Sequence, residues 1–208
     1  MSNVEGKIKI RISPITFRSS SFVIRHSSFR SDASFTVIEL LVVIAIIIIL
    51  AGLILSTVGY VQKKGARSRA EAEIAAISAA LESYKADNGI YPQNSDTNAL
   101  DPTTDLDPSA TPIPNKYTKA SLYLYEQISG DTNADRVADA AKSYFVFKPN
   151  QLNPIDQTQS VISLRDPFGN SYGYSTAKAS GAAFGYNPTF DLWSTATSTD
   201  ANQWIKNW

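Results

Sequence analysis

The sequence predicts an α+β fold, in which a long N-terminal helix, transmembrane in its first half, packs on a small C-terminal antiparallel sheet. Three observations predict it. Residues 40–55 contain no polar side chain. An amphipathic stretch with helical spacing follows, and short apolar segments bounded by Pro, Gly, Asn and Asp occupy the C-terminal third. The 208 residues suffice for one modest domain and an anchoring helix.

The first 34 residues differ in composition from the rest of the chain. They carry six basic and two acidic residues, a net charge of +4, whereas the remainder carries −4. They are rich in Ser and Arg and show no hydrophobic period. A basic segment before a long apolar run is typical of an export or membrane-insertion signal. We therefore predict that residues 1–34 form a basic leader without stable structure.

The segment 35–62 is predicted to be a transmembrane helix with one unusual residue. Its only charge is Glu39. At about 1.5 Å per residue the segment is long enough to cross a hydrocarbon core of about 30 Å. A carboxylate in that core costs a few kcal/mol, and a plain anchor has no need of one. Basic residues flank both ends, so charge alone leaves the orientation open, and an uncleaved signal anchor remains the alternative.

The helix is predicted to continue beyond the membrane as an amphipathic helix over 63–88. Asn88-Gly89 is a typical C-terminal stop, so one helix of about 80 Å is expected from Phe35 to Asn88. Something must pack on its apolar stripe. The stripe consists of residues spaced by four and three: Ala70, Ile74, Ile77, Leu81 and Tyr84.

The rest of the domain that follows the apolar segment, 63–208, is read from turn and strand signals. Residues 89–119, dense in Pro, Asp, Ser, Thr and Asn, are predicted to be a variable surface loop. The sequence Asp-Pro-Phe-Gly at 166–169 predicts a type I turn. Short helices are predicted at 120–128 and 134–143, and the sheet region 144–208 has predicted strands at 144–148, 160–164, 170–176, 189–194 and 203–208.

The composition argues against catalysis and against nucleic-acid binding. The chain has no cysteine, and its one histidine, His26, lies in the leader. Ser-His-Asp and Cys-His sites and the usual zinc spacings are therefore excluded from the remainder. No carboxylate pair stands out, so we expect no enzyme. Basic and acidic residues are equal in number, so no nucleic-acid partner is expected.

Two further patterns are predicted to be structural. Residues 131–135 copy the start of a calcium-binding EF-hand loop, but Arg136 replaces its glycine and Lys142 its final acid. We predict a solvated turn there. The three tryptophans, Trp193, Trp204 and Trp208, are predicted to be sheet core and not a ligand platform.

The run from Ser34 to Leu55 resembles the start of type IV pilins and type II secretion pseudopilins. In that family a basic leader is cut before a phenylalanine, and a glutamate stands fifth in the mature chain; here Phe35 is first and Glu39 is fifth. Residues 80–92 resemble the helix end of the major pseudopilins of type II secretion. The stretches 166–174, 190–194 and 205–208 resemble their later turn and last strands, with Phe168 in place of a tryptophan.

The resemblance implies a processed membrane subunit that polymerises. A prepilin peptidase would cut between Ser34 and Phe35, where the family usually has glycine before the cut, and the Phe35 amine would be methylated. Glu39 would meet the Phe35 amine of a neighbouring subunit during assembly. The other implied partners are the inner-membrane assembly platform, its cytoplasmic ATPase and minor pseudopilins. The implied location is the bacterial inner membrane, single-pass, with the C-terminal domain in the periplasm until the subunit joins the pseudopilus.

The resemblance also implies a candidate calcium-binding loop. It leaves two other functions open. The family's loop is reduced here to 194–202, where Ser194, Asp200 and Asn202 are the candidate ligands, although calcium prefers six to eight oxygens. No cofactor is expected to be required. A type IV pilin for adhesion, motility or DNA uptake is the main alternative, although many such pilins carry a disulfide. A membrane-anchored extracytoplasmic binding domain is the other.

Overall fold

The computed structural model describes residues 35–208, so the predicted leader, including Ser34, lies outside the described residues. The chain divides between Ile49 and Leu50 into two units. The described part of the first unit is the beginning of a helix. The second unit contains the rest of that helix and every other helix and strand that the structure describes.

Helix α1 runs from Val37 to Asn88, which confirms the predicted continuous helix to within two residues at its start. It ends where Gly89 adopts a left-handed conformation (φ 80°). The Gly89 N–H donates to the Lys85 carbonyl at 2.7 Å, which satisfies one of the carbonyls left free at a helix end.

The predicted stripe on α1 forms one wall of the main hydrophobic core. Ala70, Ile74, Ile77 and Leu81 are buried, and Tyr84 is half-buried. The opposite wall comes from the third helix and the sheets, with Leu124, Ile128, Leu164, Tyr172 and Leu192 in the same cluster. This packing of the helix on small antiparallel sheets confirms the α+β class.

Two helices begin inside the segment 89–119. The prediction that this whole segment is a loop was therefore wrong. Helix α2 (Ser95–Ala99) starts with a capping box, in which Asn94 Oδ1 accepts from Thr97 N and Thr97 Oγ1 accepts from Asn94 N, each at 2.9 Å. Helix α3 (Lys116–Ser129) begins four residues before the predicted 120–128 helix, because Asn115 Oδ1 caps the Thr118 N–H.

The described residues form two small antiparallel sheets. Strands β1 (Leu152–Asn153) and β2 (Ser163–Leu164) pair with Leu152 opposite Leu164. Strands β3 (Gly173–Ser175), β4 (Asp191–Ser194) and β5 (Ile205–Lys206) form the second sheet in that order. Each of the last three lies within a predicted strand but is shorter. Between β2 and β3, Gly169 N donates to Asp166 O at 3.0 Å, which confirms the predicted turn.

The predicted helix at 134–143 and strand at 144–148 are wrong. Ala134 and Arg136 have positive φ (59° and 77°), a conformation that an α-helix of L-residues does not contain. The Gly130 carbonyl accepts from the N–H groups of Asp139 and Ala140, each at 2.8 Å, and a helix would bond these groups to carbonyls four residues earlier. Residues 144–148 pair with no strand in the described chain. The predicted strand at 160–164 is reduced to Ser163–Leu164.

The turn at 131–135 is less solvated than predicted. Asp131 is only 1% exposed, and its Oδ2 accepts from the Tyr125 hydroxyl at 2.6 Å. The motif therefore anchors the chain after α3 with one buried carboxylate, which corrects the prediction of a solvated turn.

The tryptophans form a second, smaller core, as predicted. Trp193 and Trp204 are buried and stack with ring centroids 5.9 Å apart, and Trp208 meets Trp193 edge to face at 5.7 Å. The Trp193 indole donates to the Tyr117 hydroxyl at 3.1 Å, so this core joins β4 to α3.

Candidate functional site

The start of α1 is a capping box that contains Glu39. Thr36 precedes the first helical residue, and its Oγ1 accepts from the Glu39 N–H at 3.2 Å. In return, Glu39 Oε2 accepts from both the N–H and the hydroxyl of Thr36, each at 2.8 Å. Within one chain the carboxylate is thus hydrogen-bonded by the residue that precedes the helix. Sequence reasoning missed the role of Thr36, although the spacing Thr-x-x-Glu is the known signal for this cap.

Beyond this cap, the first half of α1 is apolar and exposed. By length and composition α1 is able to cross a membrane, and the large apolar side chains from Val37 to Val61 are exposed throughout. In water such a surface would be unfavourable at about 25 cal/mol per Å². Lipid or other apolar helices around this surface would remove that cost.

Of the two predicted processing residues, the structure describes only Phe35. Its side chain is 81% exposed and lies just before the capping box. Ser34 lies outside the described residues, so cleavage between Ser34 and Phe35 and methylation of Phe35 stay predictions.

The first predicted calcium ligand, Ser194, is committed to a buried carboxylate. Its hydroxyl donates to Asp166 Oδ2 at 2.5 Å, and both residues are buried. Asp166 Oδ1 also accepts from the N–H groups of Phe168 and Asn170, at 3.0 and 2.8 Å. Burial raises the pKa of the Asp166 carboxyl, and these hydrogen bonds only partly offset that rise. Asp166 thereby ties the turn after β2 to the end of β4.

The other two predicted ligands belong to a separate, exposed hydrogen-bonded set. Asp200 Oδ1 accepts from the backbone N–H of Asn202 at 2.9 Å and from its side-chain amide at 3.0 Å. This set caps the short 3₁₀ helix Ala201–Gln203. The predicted ligands thus belong to two separate hydrogen-bonded sets, and calcium binding at this loop stays a prediction. In residues 35–208, no group of three or more His, Cys, Asp or Glu side chains is placed to hold a metal ion.

Instead, the loop between β4 and β5 is closed by donors from the protein itself. The Trp204 indole donates to the Ser198 carbonyl at 2.8 Å. From α1, Arg67 Nη1 donates to the Gln203 carbonyl at 2.8 Å and Nη2 to the Trp204 carbonyl at 3.3 Å. A guanidinium therefore supplies positive charge to carbonyl oxygens of this loop. Sequence reasoning missed Arg67, because nothing in the sequence links residues so far apart.

No family model matches the chain, and no solved structure matches it. The chain is 35% identical over 88 residues to the "Type II secretion system core protein G" of Aeromonas hydrophila. The match supports a pseudopilin relationship. It covers 42% of this chain and 59% of the relative, so the chain spans less than two-thirds of that protein's length.

The match confirms the resemblance to pseudopilins that the sequence showed. It agrees with a helix that is apolar and exposed in its first half. It also favours the secretion family over the alternative of a plain membrane-anchored binding domain.

Proposed function

We propose that this chain is a filament subunit of a type II secretion pseudopilus that supports protein export. A prepilin peptidase removes residues 1–34 by cutting between Ser34 and Phe35, and the new amine is methylated. The subunit then stands in the bacterial inner membrane, with its C-terminal domain in the periplasm, until it is assembled through α1. It has no catalytic activity of its own.

The observation that carries this proposal is the exposed apolar surface over Val37–Val61 with a single acid at its start. The same surface is suited to two environments. It can face lipid acyl chains before assembly and the helices of other subunits afterwards, so movement from bilayer to filament costs little hydrophobic free energy.

Glu39 sets the axial offset between neighbouring helices during assembly. In the single subunit its carboxylate is satisfied by Thr36. In the filament it meets the Phe35 amine of a neighbour, a pairing that is favourable only when the two helices are at the correct axial offset. At a wrong offset the carboxylate keeps only the hydrogen bonds from Thr36 and is buried among apolar helices without a counter-charge, which is costly.

The proposed steps of cleavage, membrane insertion and assembly imply the partners. They are other copies of the chain, the prepilin peptidase, an inner-membrane assembly platform with its cytoplasmic ATPase, and minor pseudopilins. The A. hydrophila relative, a secretion-system core protein by name, supports this choice of machine.

The test is the intact mass of the membrane-extracted protein, together with the yield of sheared filaments. We expect a mass that lacks residues 1–34 and includes one added methyl group, and filaments only in cells that have the secretion machinery. A mass that still includes residues 1–34, or an N-terminus beyond the apolar segment, would contradict the proposal.

A further inference from the structure

We propose that a basic groove at the end of the apolar segment binds the headgroup of an anionic phospholipid. This inference rests on the proposed function, because it requires α1 to cross a membrane. The groove has a volume of about 630 Å³. Its lining includes Tyr60, Lys63, Lys64 and Arg67 on α1 and Thr197 and Ser198 on the loop between β4 and β5.

The cations of the groove are largely unneutralised. Lys63 and Lys64 are exposed, and neither has an ion-pair partner among residues 35–208. Arg67 also lines the groove, but its guanidinium donates to two carbonyls, and its Nε lies 3.8 Å from Glu71. The nearby Asp200 carboxylate is occupied by the amides of Asn202. The two lysines are therefore the charges available to a ligand.

The groove lies at the depth where a headgroup would be. The apolar part of α1, residues 37–58, is about 33 Å long at 1.5 Å per residue, close to the thickness of a hydrocarbon core. The headgroup region adds about 5–8 Å on each side, which reaches the level of Tyr60 to Lys64. Tyr60 is 70% exposed, and tyrosine favours this interface. Lysine side chains likewise direct their ammonium groups toward headgroups.

The loop between β4 and β5 adds a hydroxyl that can donate to a phosphate oxygen. Ser198 Oγ accepts from the Asp200 N–H at 3.1 Å, and its own O–H can still donate to a ligand oxygen. Two ammonium groups and a hydroxyl favour a phosphodiester without a cationic headgroup over a zwitterionic one. Phosphatidylglycerol therefore fits better than phosphatidylcholine.

The test uses the full chain reconstituted in phosphatidylcholine vesicles that contain a small amount of spin-labelled phosphatidylglycerol or spin-labelled phosphatidylcholine. The measurement is the ratio of the two lipids' association with the protein. We expect a several-fold preference for phosphatidylglycerol in the wild type. The double variant Lys63→Gln/Lys64→Gln should lose most of it. The control Lys119→Gln/Lys148→Gln, which removes the same charge from exposed lysines elsewhere, should retain it.

Three results would overturn the inference. One is equal association of both lipids with the wild type, and another is equal loss in the two double variants, which would indicate general surface charge. The third is displacement of the labelled lipid by inorganic phosphate at constant ionic strength, which would indicate a phosphate site and not a lipid site. Carbonate extraction separates this inference from the proposed function. A chain that resists extraction but shows no lipid preference contradicts only the groove, whereas a chain that is extracted contradicts both.

Discussion

Arg67 on α1 donates to the backbone carbonyl of Gln203 at 2.8 Å across 136 residues of sequence. Arg67→Ala should lower the free energy of unfolding by about 1 kcal/mol, which is less than a buried charged hydrogen bond contributes, because the side chain is 43% exposed. Denaturant unfolding of the full chain in detergent measures this. The control is Arg69→Ala, on the same helix and exposed, and it should change stability by less. Equal effects of the two variants would contradict a specific clamp.

Gly173 is required by the ring beneath it. A Cβ at this position would lie 2.2 Å from Trp193 Cε2, which no small shift relieves. Gly173→Ala should therefore destabilise the protein by about 3 kcal/mol or more, or prevent folding. Gly65→Ala is the matched control, since nothing lies within 4 Å of its Cβ and alanine favours a helix by about 1 kcal/mol. Melting curves of both variants test this, and a Gly173→Ala protein as stable as wild type would show that the close packing is wrong.

Asp166 should make the stability of the protein depend on pH in the acidic range. Burial raises its pKa above the ordinary value of 3.8, so the folded state holds this proton more tightly than the unfolded state. The stability that comes from this raised pKa is fully present below the pKa of Asp166 in the unfolded chain. It is lost as the pH rises through the pKa of Asp166 in the folded protein. The stability difference between wild type and Asp166→Asn should thus become less favourable to wild type as pH increases from about 4. Denaturation of both proteins from acid to neutral pH tests this; a constant difference would argue that Asp166 titrates normally.

Glu39→Gln and Glu39→Leu should separate membrane insertion from assembly. Leucine removes a membrane-buried charge, so insertion should be unchanged or easier. Cleavage should persist, since the peptidase reads residues beside the cut. Filament yield should fall in both variants because the neighbour's Phe35 amine loses its charged partner. The measurement is sheared-filament yield against cleaved subunit in the membrane fraction.

Thr36→Val is the matched variant for that experiment. It removes the capping hydroxyl but leaves the Glu39 charge. It should lose less filament than Glu39→Gln if the charge matters in the assembled state. Normal filaments from both Glu39 variants would mean that Glu39 serves only the helix start.

Calcium should have little effect on stability. Ser194 is committed to Asp166, and Asp200 to Asn202, so binding would first have to break existing hydrogen bonds. We expect the melting temperature of the full chain to be nearly the same in millimolar calcium and in chelator. A rise of many degrees with calcium, lost in Asp200→Ala, would establish the loop as a metal site.

The sequence predicted those parts of the fold that depend on a repeated local pattern. The stripe from Ala70 to Tyr84 has one period over four turns, and Asn88-Gly89 ends it, so α1 was predicted nearly to the residue. The turn at 166–169 was predicted from its residue types alone. In contrast, the predicted helix at 134–143 is absent, because the Gly130 carbonyl binds the N–H groups of Asp139 and Ala140 that the helix would have used.

The candidate site was predictable at its N-terminal end only. Glu39 was identified because a carboxylate within an apolar segment is costly. Its partner Thr36 was missed, although the spacing of a capping box would have indicated it. The closure of the loop between β4 and β5 depends on Arg67, and the burial of Ser194 depends on Asp166. Such contacts are set by tertiary packing, which leaves no periodic signal in the sequence.

The smaller core has a practical consequence for spectroscopy. The three tryptophans of the chain are Trp193, Trp204 and Trp208, and all lie in or beside the second sheet. Intrinsic tryptophan fluorescence therefore reports on the C-terminal sheet alone, while helical circular dichroism is dominated by the 52 residues of α1. Recorded on one sample, the two signals distinguish loosening of the sheet from melting of the helix without any attached dye.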